Sequence, residues 1–195
     1  MQNAAGRMQT LIEDLLTFSR ITTKALPFVQ VNLVQLAQEV LSDLELQLAQ
    51  TGGRVEVGDL PTIEAEPVQM RQLLQNLISN ALKFHKHGET PFVKLSSQLL
   101  DSSQQSVENS AIAQFCQIIV QDNGIGFDEK YLDRIFNVFQ RLHSRNQYEG
   151  TGMGLAIVKK IAERHGGNIT AESTLRQGST FIVTLPLNQR RGDLE

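Results

Sequence analysis

Apolar residues along the chain recur with helical spacing in four stretches and follow strand-like patterns in six. Met8, Leu11, Leu15, Phe18 and Thr22 repeat at alternating steps of three and four, with Ile12 beside them, and predict a helix over residues 6–23 with a packing seam. Such a helix is too short to be stable alone and has no N-terminal cap signal. It is therefore expected to be the tail of a longer element, a helix folded onto its own domain being the alternative. Pro27 ends it. VNLVQLAQEVLSDLELQLAQTGG then predicts one capped helix, with Asn32 at N-cap, Gln35 three residues on and Gly52 at the end. Residues 54–57 and 62–65 read as a short hairpin around Gly58-Asp59, and residues 67–84 as a helix with Pro67 in its first turn. Strands are expected over 91–100 and 114–121, joined by the polar stretch DSSQQSVENSAIA. A last helix over 154–165 leads through Gly166-Gly167 into strands near 168–172 and 179–185. The sum is an α/β two-layer sandwich, a mixed β-sheet covered on one face by helices.

Composition narrows this picture. With 195 residues, 41% of them hydrophobic and 20% charged, the chain can bury one real core plus a smaller appendage. A net charge of -3 offers no broad basic field, so nucleic acid is not an expected partner. Cys116, the one cysteine, lies in the apolar run FCQIIV and reads as a core residue of a protein in a reducing compartment. No run approaches the ~18 apolar residues a bilayer span requires, and MQNAAGRMQ has no signal-peptide apolar region, so a soluble, cytoplasmic chain without membrane contact is expected.

Candidate chemistry begins in LLQNLISNALKF, residues 73–84. At ~100° per residue Asn76, Asn80 and Lys83 share one narrow stripe beside the apolar arc of Leu73, Leu74, Leu77, Ile78, Ala81 and Leu82. Asparagine costs roughly 0.5 kcal/mol or more against alanine in mid-helix, so the stripe is either a solvated face or the wall of a polar site. Nine of the fourteen glycines lie from Gly124 onward, which concentrates bare backbone in DNGIGF, EGTGMG, HGG and RQGS. The first two clusters let N–H groups converge on an anion, and the second opens a helix whose N-terminus suits a phosphate. No GxxxxGK[ST] is present, and GTGMG does not follow a strand as a dinucleotide fingerprint would. Asp122, ending the strand IIVQD, could cap the turn before Asn123-Gly124 or accept a hydrogen bond from a purine amine.

These motifs, in this order, resemble the catalytic ATP-binding domain of sensor histidine kinases, of the gyrase, chaperone, histidine kinase and mismatch-repair ATPase superfamily. LLQNLISNALKF resembles the N box, DNGIGF the first glycine box and RIFNVFQRL the phenylalanine box. EGTGMGLAIVKKI resembles the second glycine box, and QGSTFIVTLP the last glycine box with its terminal strand. QRLHSRNQYEGTGMGLAI is especially similar to the phytochrome-type and related cyanobacterial subgroup. The resemblance implies the Bergerat ATP-binding fold over residues 27–188, preceded in residues 1–26 by the second helix of a dimerisation and phosphotransfer hairpin and followed by a tail, 189–195. It implies ATP and Mg²⁺ as cofactors, with Asn80 on the metal and Asn76 and Lys83 at the phosphates. Arg141 and Arg145 become candidate γ-phosphate contacts, with solvated loop arginines as the alternative. Asp122 is assigned to the adenine amine, Gly124, Ile125 and Gly126 to the pocket floor, and Phe84 to the base or to core packing. Gly150, Thr151, Gly152, Met153, Gly154 and Leu155 belong by the same resemblance to the lid and its phosphate contacts, with Thr180 also at the site. Residues 143–152 are expected to order when nucleotide binds. Implied partners are the acceptor-histidine hairpin, a response regulator receiver domain and a second copy of the full-length protein.

Two departures sharpen the reading. ATP-hydrolysing relatives carry a water-activating glutamate where Asn76 stands, and an amide is no general base at neutral pH. Phosphoryl transfer to a group other than water is therefore expected, an ATP-hydrolysing conformational machine of the same fold or a non-catalytic nucleotide-sensing module being the alternatives. None of the four histidines, His85, His87, His143 and His165, lies in an HE/HD-x-x-x-P setting, so the acceptor is expected on a preceding segment.

Overall fold

The computed structural model describes residues 2–23, 26–100, 114–142, 148 and 150–189. Arg145, His143, most of the expected lid (143–147 and 149), the polar stretch 101–113 and the end of the tail from 190 lie outside the described residues. Among those described, the order is α1 (Gln2–Thr23), β1 (Val29–Asn32), α2 (Leu33–Asp43), α3 (Glu45–Thr51), β2 (Arg54–Val57), β3 (Thr62–Ala65), α4 (Pro67–Lys83) and β4 (Phe92–Leu100). There follow β5 (Phe115–Asp122), a 3-10 turn (Glu129–Tyr131), α5 (Leu132–Ile135), α6 (Gly154–Arg164), β6 (Asn168–Thr174) and β7 (Gly178–Pro186).

Five strands form one mixed sheet in the order β2-β4-β5-β7-β6, antiparallel except for β2 beside β4, and β1 pairs with β3 in a separate two-stranded sheet. Side chains alternate across each strand, so Val93, Leu95, Ile118, Val120, Phe181, Val183 and Leu185 point into one buried layer. The buried stripes of α4 (Leu73, Leu74, Leu77, Ile78) and α6 (Ile157, Val158, Ile161) close that layer. The protein is a two-layer α/β sandwich with helices on one face of the sheet.

The predicted hairpin over residues 54–65 does not form. The Gly58 N–H instead donates to Leu95 O at 2.8 Å and Ser97 Oγ to Asp59 O at 2.8 Å, so β2 and its turn are held along β4. β3 goes elsewhere, burying Ile63 and Ala65 and pairing Ala65 with Val29. The helix predicted from Asn32 is also two helices, broken at buried Leu44 (φ -95°, ψ 7°). The break lets α3 dock on α4, where Gln47 Nε2 donates to Ser79 O at 3.1 Å and Ser79 Oγ to Gln47 Oε1 at 3.0 Å. Its ends are as expected: the Asn32 side chain accepts the Gln35 N–H at 3.1 Å, and Gly52 is left-handed at φ 65°.

Helix α1 packs along α6, burying Ile21 and partly burying Phe18. Only part of the expected seam faces inward: Met8, Ile12, Leu15 and Leu16 are exposed. Its C-terminal end is fastened twice. Gln69 Nε2 donates to Ile21 O at 3.1 Å, while Arg164 donates to Gln69 Oε1 at 2.9 Å and to Leu26 O at 3.4 Å.

Candidate functional site

Helix α4 sets one wall of the site. Its start is fixed by Glu66, whose carboxylate accepts the Val68 and Gln69 N–H groups at 2.9 and 3.2 Å, with Pro67 in the first turn. With the apolar arc turned into the core, the polar stripe of Asn76, Ser79, Asn80 and Lys83 faces a cavity of about 420 Å³. Nδ2 of Asn76 is buried and has no hydrogen-bond partner among the described residues, while its Oδ1 accepts from Gln72 Nε2 at 3.4 Å. A buried donor without an acceptor costs about 1–3 kcal/mol, and an oxygen entering the cavity could accept from it.

The floor comes from the loop after β5. The Ile125 N–H donates to Phe84 O at 2.9 Å, tying this loop to the end of α4. Gly126 is left-handed at φ 59°, and a β-carbon there would strike the Thr174 carbonyl, so glycine is required. Ile125, Gly126, Phe84, Ile135 and Leu142 give the cavity its apolar end.

The third wall joins the residues before the lid to the N-terminus of α6. Arg141 uses both guanidinium arms on lid carbonyls, Gly150 O and Tyr148 O (2.6 Å to the latter). Tyr148 packs on Phe84 with ring centroids 5.0 Å apart and donates its hydroxyl to His85 O at 3.3 Å. Lys83 Nζ sits 4.6 Å from the Phe84 ring centroid. Gly150 lies close enough that a β-carbon would stand 2.7 Å from Lys83 Nζ. At Gly154, opening α6, a β-carbon would stand 3.6–3.8 Å from the Asn76 and Asn80 amides.

Twelve of the residues singled out in the sequence thus line one cavity: Asn76, Asn80, Lys83, Phe84, Ile125, Gly126, Arg141, Gly150, Thr151, Gly152, Gly154 and Leu155. Four others stand apart. Met153 is fully buried in the core, and Thr180 projects from the sheet face opposite buried Ser179 and Phe181. Gly124 and Asp122 lie just outside the lining; the Asp122 carboxylate accepts the Gly124 N–H at 2.8 Å and the Ser179 N–H at 3.2 Å, both on Oδ1. Burial pushes its pKa up to about 6 despite those two bonds. Sequence reasoning missed Thr10 and Asp14 of α1, which also line the cavity, Asp14 accepting a hydrogen bond from Thr151 Oγ1. Their one signal was a polar pair one turn apart beside the seam.

Among the described residues, no group of three or more His, Cys, Asp or Glu side chains could hold a metal ion. The oxygen donors that line the cavity are the amides of Asn76 and Asn80, the hydroxyls of Ser79 and Thr151 and the carboxylate of Asp14, all of the hard type a cation such as Mg²⁺ takes.

Residues 65–189 match the family model for histidine kinase-, DNA gyrase B-, and HSP90-like ATPases. The chain is 42% identical over 183 residues to cyanobacterial phytochrome A of Nostoc sp., covering 94% of this chain and 22% of that protein. It is 38% identical over 180 residues to the phytochrome-like protein Cph1 of Synechocystis sp., covering 92% and 22%. It therefore spans about a fifth of the length of these curated relatives. Among solved structures, full-length ShkA in complex with AMPPNP aligns with TM-score 0.75 at 25% identity, covering 97% of this chain and 38% of that one. The catalytic domain of the histidine kinase ThkA aligns with TM-score 0.63 at 26% identity, covering 84% and 99%.

Proposed function

Because the chain belongs to the histidine kinase-, DNA gyrase B-, and HSP90-like ATPase family, as the ATP-binding catalytic domain of a sensor histidine kinase, we propose that its cavity binds Mg-ATP for phosphoryl transfer to a histidine. The acceptor lies on a hairpin helix outside this sequence, and an aspartate of a response regulator receives the group next. Residues 27–188 form the catalytic unit, with α1 as part of the hairpin through which the full-length, cytoplasmic protein dimerises. The observation that carries this reading is the buried Asn76 Nδ2, without a hydrogen-bond partner among the described residues, in one stripe with Asn80 and Lys83 on the cavity that Gly150, Gly152 and Gly154 also line.

In the proposed complex the Asn80 amide oxygen would hold the metal, which would supply charge neutralisation for the polyphosphate. Asn76 donates Nδ2 to a phosphate oxygen and Lys83 supplies a positive charge beside it. Gly150, Gly152 and Gly154 bring backbone N–H groups and the α6 N-terminus to the polyphosphate. Arg141 holds the lid through its carbonyls and, with Arg145, meets the γ-phosphate on closure. Asp122 takes the adenine amine on Oδ2, its Oδ1 being engaged, and Phe84 packs on the base. An unprotonated imidazole nitrogen then attacks the γ-phosphorus; the P–N bond forms as the P–O bond to ADP breaks, and the proton on the ring's other nitrogen passes to a neighbouring carboxylate. Positioning and charge supply the catalysis, and the Asn76 amide is no base to activate water.

Radiolabelled ATP separates the readings. This chain alone is expected to bind nucleotide, take up no acid-labile phosphate and release phosphate slowly; adding the preceding hairpin helix is expected to yield phosphohistidine on that helix. Robust label at His85, His87, His143 or His165 would overturn the acceptor assignment, and rapid phosphate release would indicate an ATP-hydrolysing machine.

A further inference from the structure

Helix α1 does more than flank the catalytic unit. Thr10 and Asp14, one turn apart, face the same cavity as Asn76, Asn80 and Lys83, so a carboxylate stands where the proposed ligand is most negative. That carboxylate is bonded to the hydroxyl of Thr151, between the lid residues Gly150 and Gly152. Thr151 Oγ1 in turn accepts the Met153 N–H at 3.3 Å, at the entry to α6. The contact thus joins α1 to residues 150–152, while the bond at Ile21, and the one at Leu26 just beyond the helix, hold its far end.

We propose that Asp14 is an affinity-setting latch, in which its carboxylate and the nucleotide polyphosphate compete for the Thr151 hydroxyl and for the space between α1 and the lid. Three physical facts support it. A hydroxyl has one proton to donate, so Thr151 serves either the carboxylate or a phosphate oxygen. A carboxylate and a polyphosphate within one cavity repel each other more strongly than in bulk water. Coupling between two sites is also reciprocal: whatever α1 docking takes from nucleotide affinity, nucleotide takes from α1 docking. In the nucleotide-free chain the latch holds α1 across the cavity, and occupancy releases the N-terminal half of α1 while its C-terminal fastenings persist. An acceptor helix paired with α1 would be freed to move only when the site is loaded.

The inference rests on the cavity being the Mg-ATP site. The test titrates a non-hydrolysable ATP analogue with Mg²⁺ into the unmodified chain, Asp14→Asn and Glu13→Gln by calorimetry. Glu13→Gln removes the same charge one residue away, on an exposed face. Asp14→Asn is expected to bind roughly five- to tenfold tighter, less so at high salt, with Glu13→Gln unchanged. Hydrogen exchange over residues 8–18 is expected to speed up when the analogue is added to the unmodified chain, and to be fast already without it in Asp14→Ala, which leaves the Thr151 hydroxyl no acceptor on α1. Unchanged affinity in Asp14→Asn, or equal tightening in Glu13→Gln, overturns the latch and leaves the nucleotide site standing. Weaker binding in Asp14→Asn would overturn it in favour of a metal-side role for the carboxylate, and no binding by the unmodified chain would remove latch and site together.

Discussion

At the scale of single residues, the site is built from side chains that contribute little to the core. Asn80 lines the cavity and borders the fully buried arc of α4 without joining it, so Asn80→Ala is expected to weaken Mg²⁺-dependent ATP binding at least tenfold while the unfolding midpoint moves little. Calorimetry with and without Mg²⁺ measures it; unchanged affinity removes Asn80 from the metal. Asp122 makes a different test. With its pKa pushed up to about 6 by burial, the carboxylate is partly protonated below that pH, whereas an adenine amine needs it as an acceptor. Nucleotide affinity is therefore expected to fall as pH drops from 7 to 5. In Asp122→Asn this loss should shrink, along with preference for ATP over GTP, and comparing the two chains cancels the nucleotide's own titration. Equal pH dependence in both would count against the adenine contact. The asparagine stripe was legible in the sequence because helical spacing alone fixes which side chains align. The places of Met153 and Thr180 were not, because within a motif spacing does not say which side chain turns into the core.

At the scale of elements, amphipathic helices and long strands were legible, since their periods report the buried face directly. The hairpin over 54–65 was not: turn chemistry at Gly58-Asp59 is local, and parallel pairing with β4 comes from a segment about forty residues away. The place of α1 was half legible. Its apolar positions wrap too wide an arc for one seam, with Ile21 and Phe18 spent on the domain and Met8, Ile12, Leu15 and Leu16 left outward. Those outward residues are the ones to test for pairing with another helix. Leu15→Asp is expected to abolish dimerisation and transfer in the full-length protein, with nucleotide affinity unchanged and the stability of this chain altered by less than about 0.5 kcal/mol. Light scattering and phosphate incorporation read the outcome; intact dimers would move the partner surface elsewhere.

At the scale of the whole molecule, two groups at opposite ends of the sandwich titrate in opposing senses. His165 is buried, its ring taking the Glu66 N–H at 3.1 Å and bonding Ile161 O at 2.8 Å, and burial pushes its pKa down to about 4. Between pH 6.5 and 4 the unfolded chain therefore holds a proton that the native one lacks, and stability falls on acidification. Asp122, raised to about 6, holds a proton in the native state that the unfolded chain has lost above about pH 4, so its contribution falls as pH rises. The two slopes nearly offset over pH 4–6. Asp122→Asn should expose the histidine's slope, a loss of roughly 2–3 kcal/mol from pH 6.5 to 4 in urea unfolding, and His165→Gln should expose the opposite one. Identical slopes in all three chains would contradict this. Burial also silences the one thiol: Cys116 is fully enclosed in β5 and its pKa is pushed up to about 11, leaving roughly one thiolate in ten thousand at neutral pH. For labelling chemistry the folded chain is thus a blank background. A cysteine placed on the outer face of α1 would carry a dye or spin probe alone, and the helix could be watched without altering the core.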